Sequence, residues 1–554
     1  FESMDDLTSL LLMLGIDDQV VPFPMSSGGA NRLYFRGHAF TNAEAAADSF
    51  AIWSELYDLS PAERGIDPRS IVDTVFERIL AANPQVTPRP HPRPPEFWQS
   101  FRLDCAWAGV PLNEWTLWGL LDAMGYSQEC ITLLSRLLGF NGTVLSEMNA
   151  GEAFQLLGGF TAEPRFATLE NGFSTLPDAL ARELGDEHLH LGTTVDRIEA
   201  REGGGYTATC TTRHGESVVT TEIGAPLVVL ALPRLALEQL YGASEVMQRS
   251  DERDAHRLWN ALQATTNQAL LKINLYYPTA WWGERADGGP PMSFGPNLSD
   301  LPLGTVYPFY AIDPALFAAA EYEAWLRHSG HRPSPEVRGR LEAIAAAKYA
   351  RPAALTIYCD HLNISFWRAL QQGGGDLFDS PMQRAVADRG PQTIHPATEA
   401  VVEAAGRLLA RLFDTDEVPR PLLTSARIWS GTTRVDAGAG EQIGYGVHQW
   451  GLHADDRAVI EHLVEPLPGL FTCGEAYSDY QGWVEGALRS ADTVLARGFG
   501  LHPISTVYRE EHHRSPFEAI TARHAARAGV LIRTHVDPTF ETTALTSTDR
   551  TGRP

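Results

Sequence analysis

The chain has 554 residues, 44% hydrophobic and 20% charged, enough to bury substantial cores in about two to four domains. Its 69 acidic against 44 basic residues leave a formal charge of −25, which argues against nucleic acid or an anionic membrane as partner. Five cysteines, Cys105, Cys130, Cys210, Cys359 and Cys473, are scattered without CxxC or ligand spacing, so neither a disulfide framework nor a zinc site is indicated.

The first predicted element is a helix through Leu7, Leu10, Leu11 and Leu14, with Ser3 as N-cap and Asp6 three residues on. Its LLLML run is too short and too acid-flanked for a signal peptide, and no apolar run approaches a membrane span. Residues 33–40 read as a short hairpin turned at Arg36-Gly37. Ser60-Pro61 is an N-cap with proline at N1, opening a helix-rich region. The proline-studded stretch 87–95 interrupts it, either as a stiff extended loop or as a ligand for a peptide-binding domain. Helical spacing resumes through Trp115, Leu117, Leu120 and Leu121, then through Ile131, Leu134, Leu137 and Leu138.

From Phe166 the texture changes. Residues 169–177 form a turn leading into an amphipathic helix that runs to Leu184. Strands are predicted over 189–198 and from Tyr206 to Cys210, separated by the turn Gly203-Gly204-Gly205. Val228-Val229-Leu230-Ala231-Leu232, ended by Pro233, is a continuous buried-strand pattern. Residues 267–282, NQALLKINLYYPTAWW, alternate as a strand that contains Lys272. Burying an ammonium is costly, so this is either an edge strand with its lysine facing water or a lysine with a task.

Further along, Tyr358 lies in the strand pattern 355–360 and reads equally as an ordinary core tyrosine. Trp429 lies in 427–431, and Gly438-Ala439-Gly440 reads as a turn. Residues 445–450 bring His448 and Trp450 together; His448 can act on a substrate amine or serve as a hydrogen-bonded structural histidine. There is no GxSxG elbow and no HExxH, so hydrolase and metalloprotease chemistry gain no support. Residues 502–554 depart from the pattern, with a helix from Phe517 to Ala528 and a polar tail from Glu541 onward.

The most informative stretch is 473–488, CGEAYSDYQGWVEGAL. A strand through Leu470-Phe471-Thr472 delivers Gly474-Glu475, and a helix opens at Gly482-Trp483-Val484. That helix start offers free N–H groups and a positive dipole end to an electron-rich ligand. The segment resembles the C-terminal flavin-binding motif of the FAD-dependent amine oxidase family, which includes L-amino-acid oxidases and monoamine oxidases. The resemblance implies FAD as cofactor. Gly474 and Glu475 would hold its ribityl or ribose hydroxyls, Gly482 and the N–H of Val484 its N1–C2=O edge, and Val195 would lie near the adenine. Trp483 would form one wall of an aromatic cage, with Trp429 and Trp450 as further walls and Tyr358 beside the substrate carboxylate. Lys272, followed by Tyr-Tyr and Trp-Trp, resembles the family lysine that holds a water against the flavin N5.

The strand–GxGxxG–helix element that receives the pyrophosphate in this family is not in the sequence. The glycines at 203–205 and 438–440 neither follow a buried strand nor open a helix. The resemblance implies a companion N-terminal polypeptide carrying GxGxxG and a carboxylate-binding arginine, with an oligomer of processed chains as the functional form. The expected fold is α+β or α/β. It comprises a Rossmann-like FAD domain completed by that separate segment, a mixed-sheet substrate domain and a helical lobe. The expected divisions are 1–59 for an FAD/substrate segment, 60–150 for the lobe and 151–235 for an FAD segment. They continue with 236–440 for the substrate domain, 441–501 for the C-terminal FAD segment and 502–554 for an extension. The expected activity is oxidation of an L-amino acid by O2 to 2-oxo acid, ammonia and hydrogen peroxide. A decarboxylating monooxygenase and an amine or polyamine oxidase are the alternatives, with a non-catalytic subunit of a flavoprotein complex as a different class.

Overall fold

The computed structural model describes residues 4–23, 29–89, 93–139, 143–158, 166–214, 217–248, 252–283, 292, 294–373, 375–387, 395–433 and 440–541. Helices and strands mix along the whole chain. The first helix spans Asp5–Met13 with Met4 as N-cap, and the expected cap Ser3 lies outside the described residues. Its free N–H groups are instead capped from across the fold: Asp6 and Leu7 donate to the Glu485 carboxylate at 3.3 and 2.9 Å.

Arg36 and Gly37, both at positive φ (48° and 90°), close the expected hairpin of Arg32–Phe35 and His38–Thr41. The helices that follow, among them Ser70–Ala82, Pro95–Asp104, Leu117–Ala123, Gln128–Leu137 and Ala150–Gly158, share one apolar core. Val75, Phe101, Leu117, Leu134 and Ala153 are among its fully enclosed residues. Part of the proline-rich segment, residues 90–92, lies outside the described residues.

An eight-stranded mixed sheet occupies the middle of the chain. Its order is Glu441–Tyr445, Leu423–Thr432, Leu270–Tyr277, Ala353–Asp360, Thr305–Tyr310, Asn297–Ser299, Arg32–Phe35, His38–Thr41. The Lys272 strand is therefore interior, which removes the edge-strand reading of its lysine. Alternation does the sorting. Leu271, Ile273, Leu275 and Tyr277 pack into a core with Leu355, Ile357, Ala426 and Ile428, while Lys272, Asn274 and Tyr276 face the other way.

Three expectations need correction. The strand predicted over 189–198 is Thr193–Ala200, because Asp186–His188 forms a 3-10 turn and Gly192 takes a positive φ before it. Val228–Ala231 is a strand but is buried on one side only: Leu230 is 5% exposed within a core, while Val229 is 43% exposed. Among the described residues it pairs only with Leu470–Cys473, in a two-stranded parallel ladder. The region after 501 is also more structured than a single helix. Helices Ile504–His512 and Pro516–His535 pack on the chain, with Ala525, Ala528 and Ile532 joining Phe317, Ala318 and Tyr322 in a core. Of the tail expected from Glu541 onward, residues 542–554 lie outside the described residues.

Glu485 links the first helix to the Val484–Phe499 helix, and it also pairs with Arg489 at 3.0 Å. Replacing it with alanine strands two backbone donors and a guanidinium in a closed environment, a cost of about 2–4 kcal/mol. Glu485→Ala is expected to lower the thermal unfolding midpoint by several degrees, with Glu485→Gln intermediate because its amide oxygen still accepts; differential scanning calorimetry measures both.

Candidate active site

The motif segment begins where Leu470–Cys473 ends. Gly474 sits at φ 141°, where a Cβ would lie 3.3 Å from the Leu232 carbonyl oxygen, so this turn needs glycine. It presents Glu475, whose carboxylate accepts from Gly482 N–H at 2.7 Å and from His448 N–H at 3.1 Å, and meets His448 Nδ1 at 2.8 Å. One carboxylate thus joins the strand end, the start of the next helix and the Val447–Trp450 strand. The Val484–Phe499 helix has Trp483 as N-cap with no side chain capping it, and Val484 is exposed. A helix start of this kind suits an anionic or electron-rich group.

Beside Glu475 runs a short antiparallel pair, Thr265–Gln268 against Val447–Trp450. Along it Thr265 Oγ1, Asn267 Oδ1, His448 Nε2, Gln449 Oε1 and Trp450 Nε1 are all buried without a hydrogen-bond partner. Each such atom costs about 1–3 kcal/mol unless something satisfies it. Donors and acceptors grouped this way next to a carboxylate suit the hydroxyls and carbonyls of a flavin nucleotide, so the residues present fit that cofactor.

Lys272 lies five residues beyond Asn267, roughly 16 Å of extended chain. Its neighbours on one sheet face are set by register: Tyr358 is directly opposite on one side and Arg427 on the other, with Thr305 beyond Tyr358. The next row holds Thr356, Asn274 and Ser425, where Thr356 Oγ1 donates to Asn274 Oδ1 at 2.6 Å and Asn274 Nδ2 donates to Ser425 Oγ at 2.9 Å. The Lys272 ammonium stands 4.8 Å from the centroid of the Tyr358 ring, within cation–π range. The residue is exposed, yet enough protein surrounds the amine that burial lowers its pKa below the usual lysine value. An ammonium in an open recess satisfies both observations. Burial raises the Tyr358 hydroxyl well above its ordinary value, so that phenol stays neutral.

The other residues singled out from sequence are distributed around these two regions. Trp429, half-buried, lies opposite Leu270 on the strand that carries Arg427. Trp450 is 1% exposed in a core with Leu237, Leu262 and Tyr477, so it stands behind the Glu475 turn and away from the open sheet face. Trp483, half-buried, lines a small cavity with Tyr480, Gln481, Glu152, Gln155 and Leu156. Val195 is 43% exposed on the Thr193–Ala200 strand opposite Cys210, apart from the Glu475 contacts. His448 takes the hydrogen-bonded structural role on its Nδ1 side, although its Nε2 remains unpartnered. Arg427 was missed because its place beside Lys272 follows from strand pairing that spans some 150 residues of sequence, whereas Asn274 and Tyr276 share the Lys272 face by simple alternation along one strand. The five cysteines are free and buried, and no His/Cys/Asp/Glu group suited to a metal occurs among the described residues.

A family model described as flavin-containing amine oxidoreductase matches residues 1–327, more than half of the chain. A search of curated proteins found no match. Among solved structures, a triple mutant of a putrescine oxidase redesigned in its cofactor binding aligns at a TM-score of 0.51 and 13% identity. That alignment covers 90% of this chain and 86% of that one. A double mutant of the same enzyme aligns at 0.47 and 13% identity, over 89% and 86%. The fold is therefore that of the flavin amine oxidases, mixed α and β around a large sheet. On the family match and this fold, the chain belongs to the flavin-containing amine oxidoreductases, with FAD as its cofactor.

Proposed function

We propose that this enzyme oxidises L-amino acids to 2-oxo acids, ammonia and hydrogen peroxide. The observation that carries this reading is the row Tyr358–Lys272–Arg427 across three adjacent strands. A phenol, an ammonium and a guanidinium on one sheet face are a donor set for a substrate carboxylate and for negative charge that develops beside it. FAD, when bound, supplies the acceptor for the substrate Cα hydride and passes the electrons to O2. Gly474, Glu475, Gly482, the Val484 N–H and Val195 are the residues proposed to hold it. Trp483 and Trp429 orient the substrate, and water hydrolyses the released imino acid. No strong general base is required where oxidation proceeds by hydride transfer, and the protein mainly orients and desolvates the substrate. An amine or polyamine oxidase is a second reading, favoured by the exposed aromatic surface of Tyr276 and the half-buried Trp429, which can hold an amine by its cationic end without a carboxylate partner.

A further part of the proposal is that a βαβ segment bearing GxGxxG, on a companion polypeptide released from a common precursor, completes the cofactor domain. A parallel ladder of two strands is unusual, since parallel sheets occur with more strands and with both faces covered. The open surface at Val229 and Leu227 is where added strands would gain apolar contact. Purified active enzyme is expected to show a second chain on denaturing gels and by intact mass. A single 60.8 kDa chain that holds stoichiometric FAD alone would overturn this part.

Lys272→Met is expected to slow the oxygen half-reaction by about tenfold or more while changing substrate affinity far less, since it removes a cation from the place where O2 acquires charge. Stopped-flow mixing with oxygen decides it, and an unchanged rate takes Lys272 out of the site.

Aromatic walls in a strongly acidic protein disfavour acidic side chains. Neutral, aromatic and basic L-amino acids are expected to be oxidised, with aspartate and glutamate poor, and Trp483→Ala is expected to weaken both substrate and FAD binding. A peroxide assay over the common amino acids and their decarboxylated counterparts tests this. Activity confined to the decarboxylated amines selects the second reading.

A further inference from the structure

Behind Trp483 lies a buried polar cluster that none of the roles above uses. Arg102, 1% exposed on the Pro95–Asp104 helix, donates through Nη1 to Glu152 Oε2 at 3.0 Å and also to Gln155 Oε1. Its Nη2 donates to Asp456 Oδ2 at 2.6 Å. The Arg102 backbone and stem lie close against the neighbouring helix because residue 151 is glycine; a Cβ there would come 2.5 Å from Arg102 Cγ and 2.8 Å from its Cα. Close by, Arg489 pairs with Asp479 at 3.7 Å and with Glu485 at 3.0 Å. Two guanidiniums thus face four carboxylates, Glu152, Asp456, Asp479 and Glu485, in a region with little access to water. Buried charge of one sign in excess is expensive unless it is neutralised.

The excess meets a cavity lined by Glu152, Gln155, Leu156, Tyr480, Gln481 and Trp483, with room for a water-sized group. Glu152 Oε1 accepts no hydrogen bond among the described residues. Gln481, 4% exposed, commits its Nε2 to the Ala476 carbonyl and leaves its Oε1 buried with no partner. The space therefore offers acceptors and ring faces beside an Arg102 guanidinium already committed to Glu152 Oε2, Gln155 and Asp456, and is bounded by the tryptophan proposed to line the substrate site.

We propose that this cavity is a subsite for the terminal ammonium of the substrate, with Glu152 and Gln481 as its acceptors, so that aliphatic substrates ending in a primary ammonium are preferred over their uncharged isosteres. An ammonium is close to water in size and brings three donors, which fits the space; a guanidinium or a ring is too large for it. The proposal rests on the amine-oxidising reading and adds to it the chemical class of the side chain. Without a further cation beside Arg102, Glu152 is readily protonated: burial first, then Asp456, Glu475 and Asp479, raise its pKa to about 7 against the opposing pull of Arg102. Binding through Glu152 is thus expected to strengthen as pH rises through that value, as the carboxyl becomes a carboxylate. Arg489 and Glu485 complete the charged surroundings.

The test uses the complete active enzyme and two isosteric pairs, L-lysine against L-norleucine and 1,5-diaminopentane against pentylamine, read by peroxide release. The expected result is a kcat/KM ratio favouring the ammonium-bearing member of the oxidised pair by about tenfold or more, rising with pH through about 7. In Glu152→Gln that ratio is expected to fall to near one, and in Gln481→Leu by a smaller factor. A ratio near one in the wild type overturns the subsite, as does a ratio untouched by both variants. A cluster that is only structural lowers the unfolding midpoint of Glu152→Gln but leaves the ratio alone. If Glu152→Gln does not fold, the wild-type ratio, its pH profile and Gln481→Leu still decide. Peroxide from norleucine or pentylamine with no preference keeps the enzyme an amine oxidase and removes only the subsite. No peroxide from any of the four, nor from other amines or amino acids, removes the activity itself.

Discussion

The Leu270–Tyr277 strand carries two incompatible surfaces on alternate residues. One is among the best-packed faces of the molecule, with Leu271, Ile273 and Leu275 each 1% exposed or less. The other bears an ammonium, an amide and a phenol. A slip of one residue would put Lys272 into that core and bring Leu271 out, at a cost of many kcal/mol from the buried ammonium alone. The packed face therefore holds the register, and the register sets Tyr358 and Arg427 on either side of Lys272. Chemistry on one face is positioned by apolar packing on the other.

A second constraint is electrostatic. Glu475 gathers three contacts from two separate elements. Arg102 ties the lobe helices Pro95–Asp104 and Ala150–Gly158 to the Asp456–Val464 helix. Both arrangements place charge where water is scarce, so losing one partner leaves the other stranded and costs more than the pair contributes. They make the relation between the helical lobe and the Glu475 turn definite, which apolar packing by itself does less sharply. The unpartnered polar atoms around Glu475 and Gln481 mark where those networks stop inside the protein.

Local signals were read well where one short segment decides its own structure. The Arg36-Gly37 hairpin follows from two positive φ values that glycine and a tight turn favour, and the strand–Gly-Glu–helix motif follows from a glycine at φ 141°, a conformation strained for any other residue. Signals failed where burial depends on a distant partner. Val228–Ala231 has the composition of an enclosed parallel strand, yet its exposure is set by how many strands lie beside it. The helices after 501 pattern weakly because their partners, Phe317 and Tyr322, sit far back in the chain.

By its residues alone, the sequence determined the motif around Glu475 and the presence of a lysine inside an apolar strand, because each rests on spacing within a few residues. Tertiary structure decided that this strand is interior, that Arg427 and Tyr358 flank its lysine, that Trp450 lies in a core and that Glu152 meets Trp483 across a cavity. Those facts depend on cross-strand register and helix docking between segments tens to hundreds of residues apart, and such contacts leave no periodic trace in the amino-acid order.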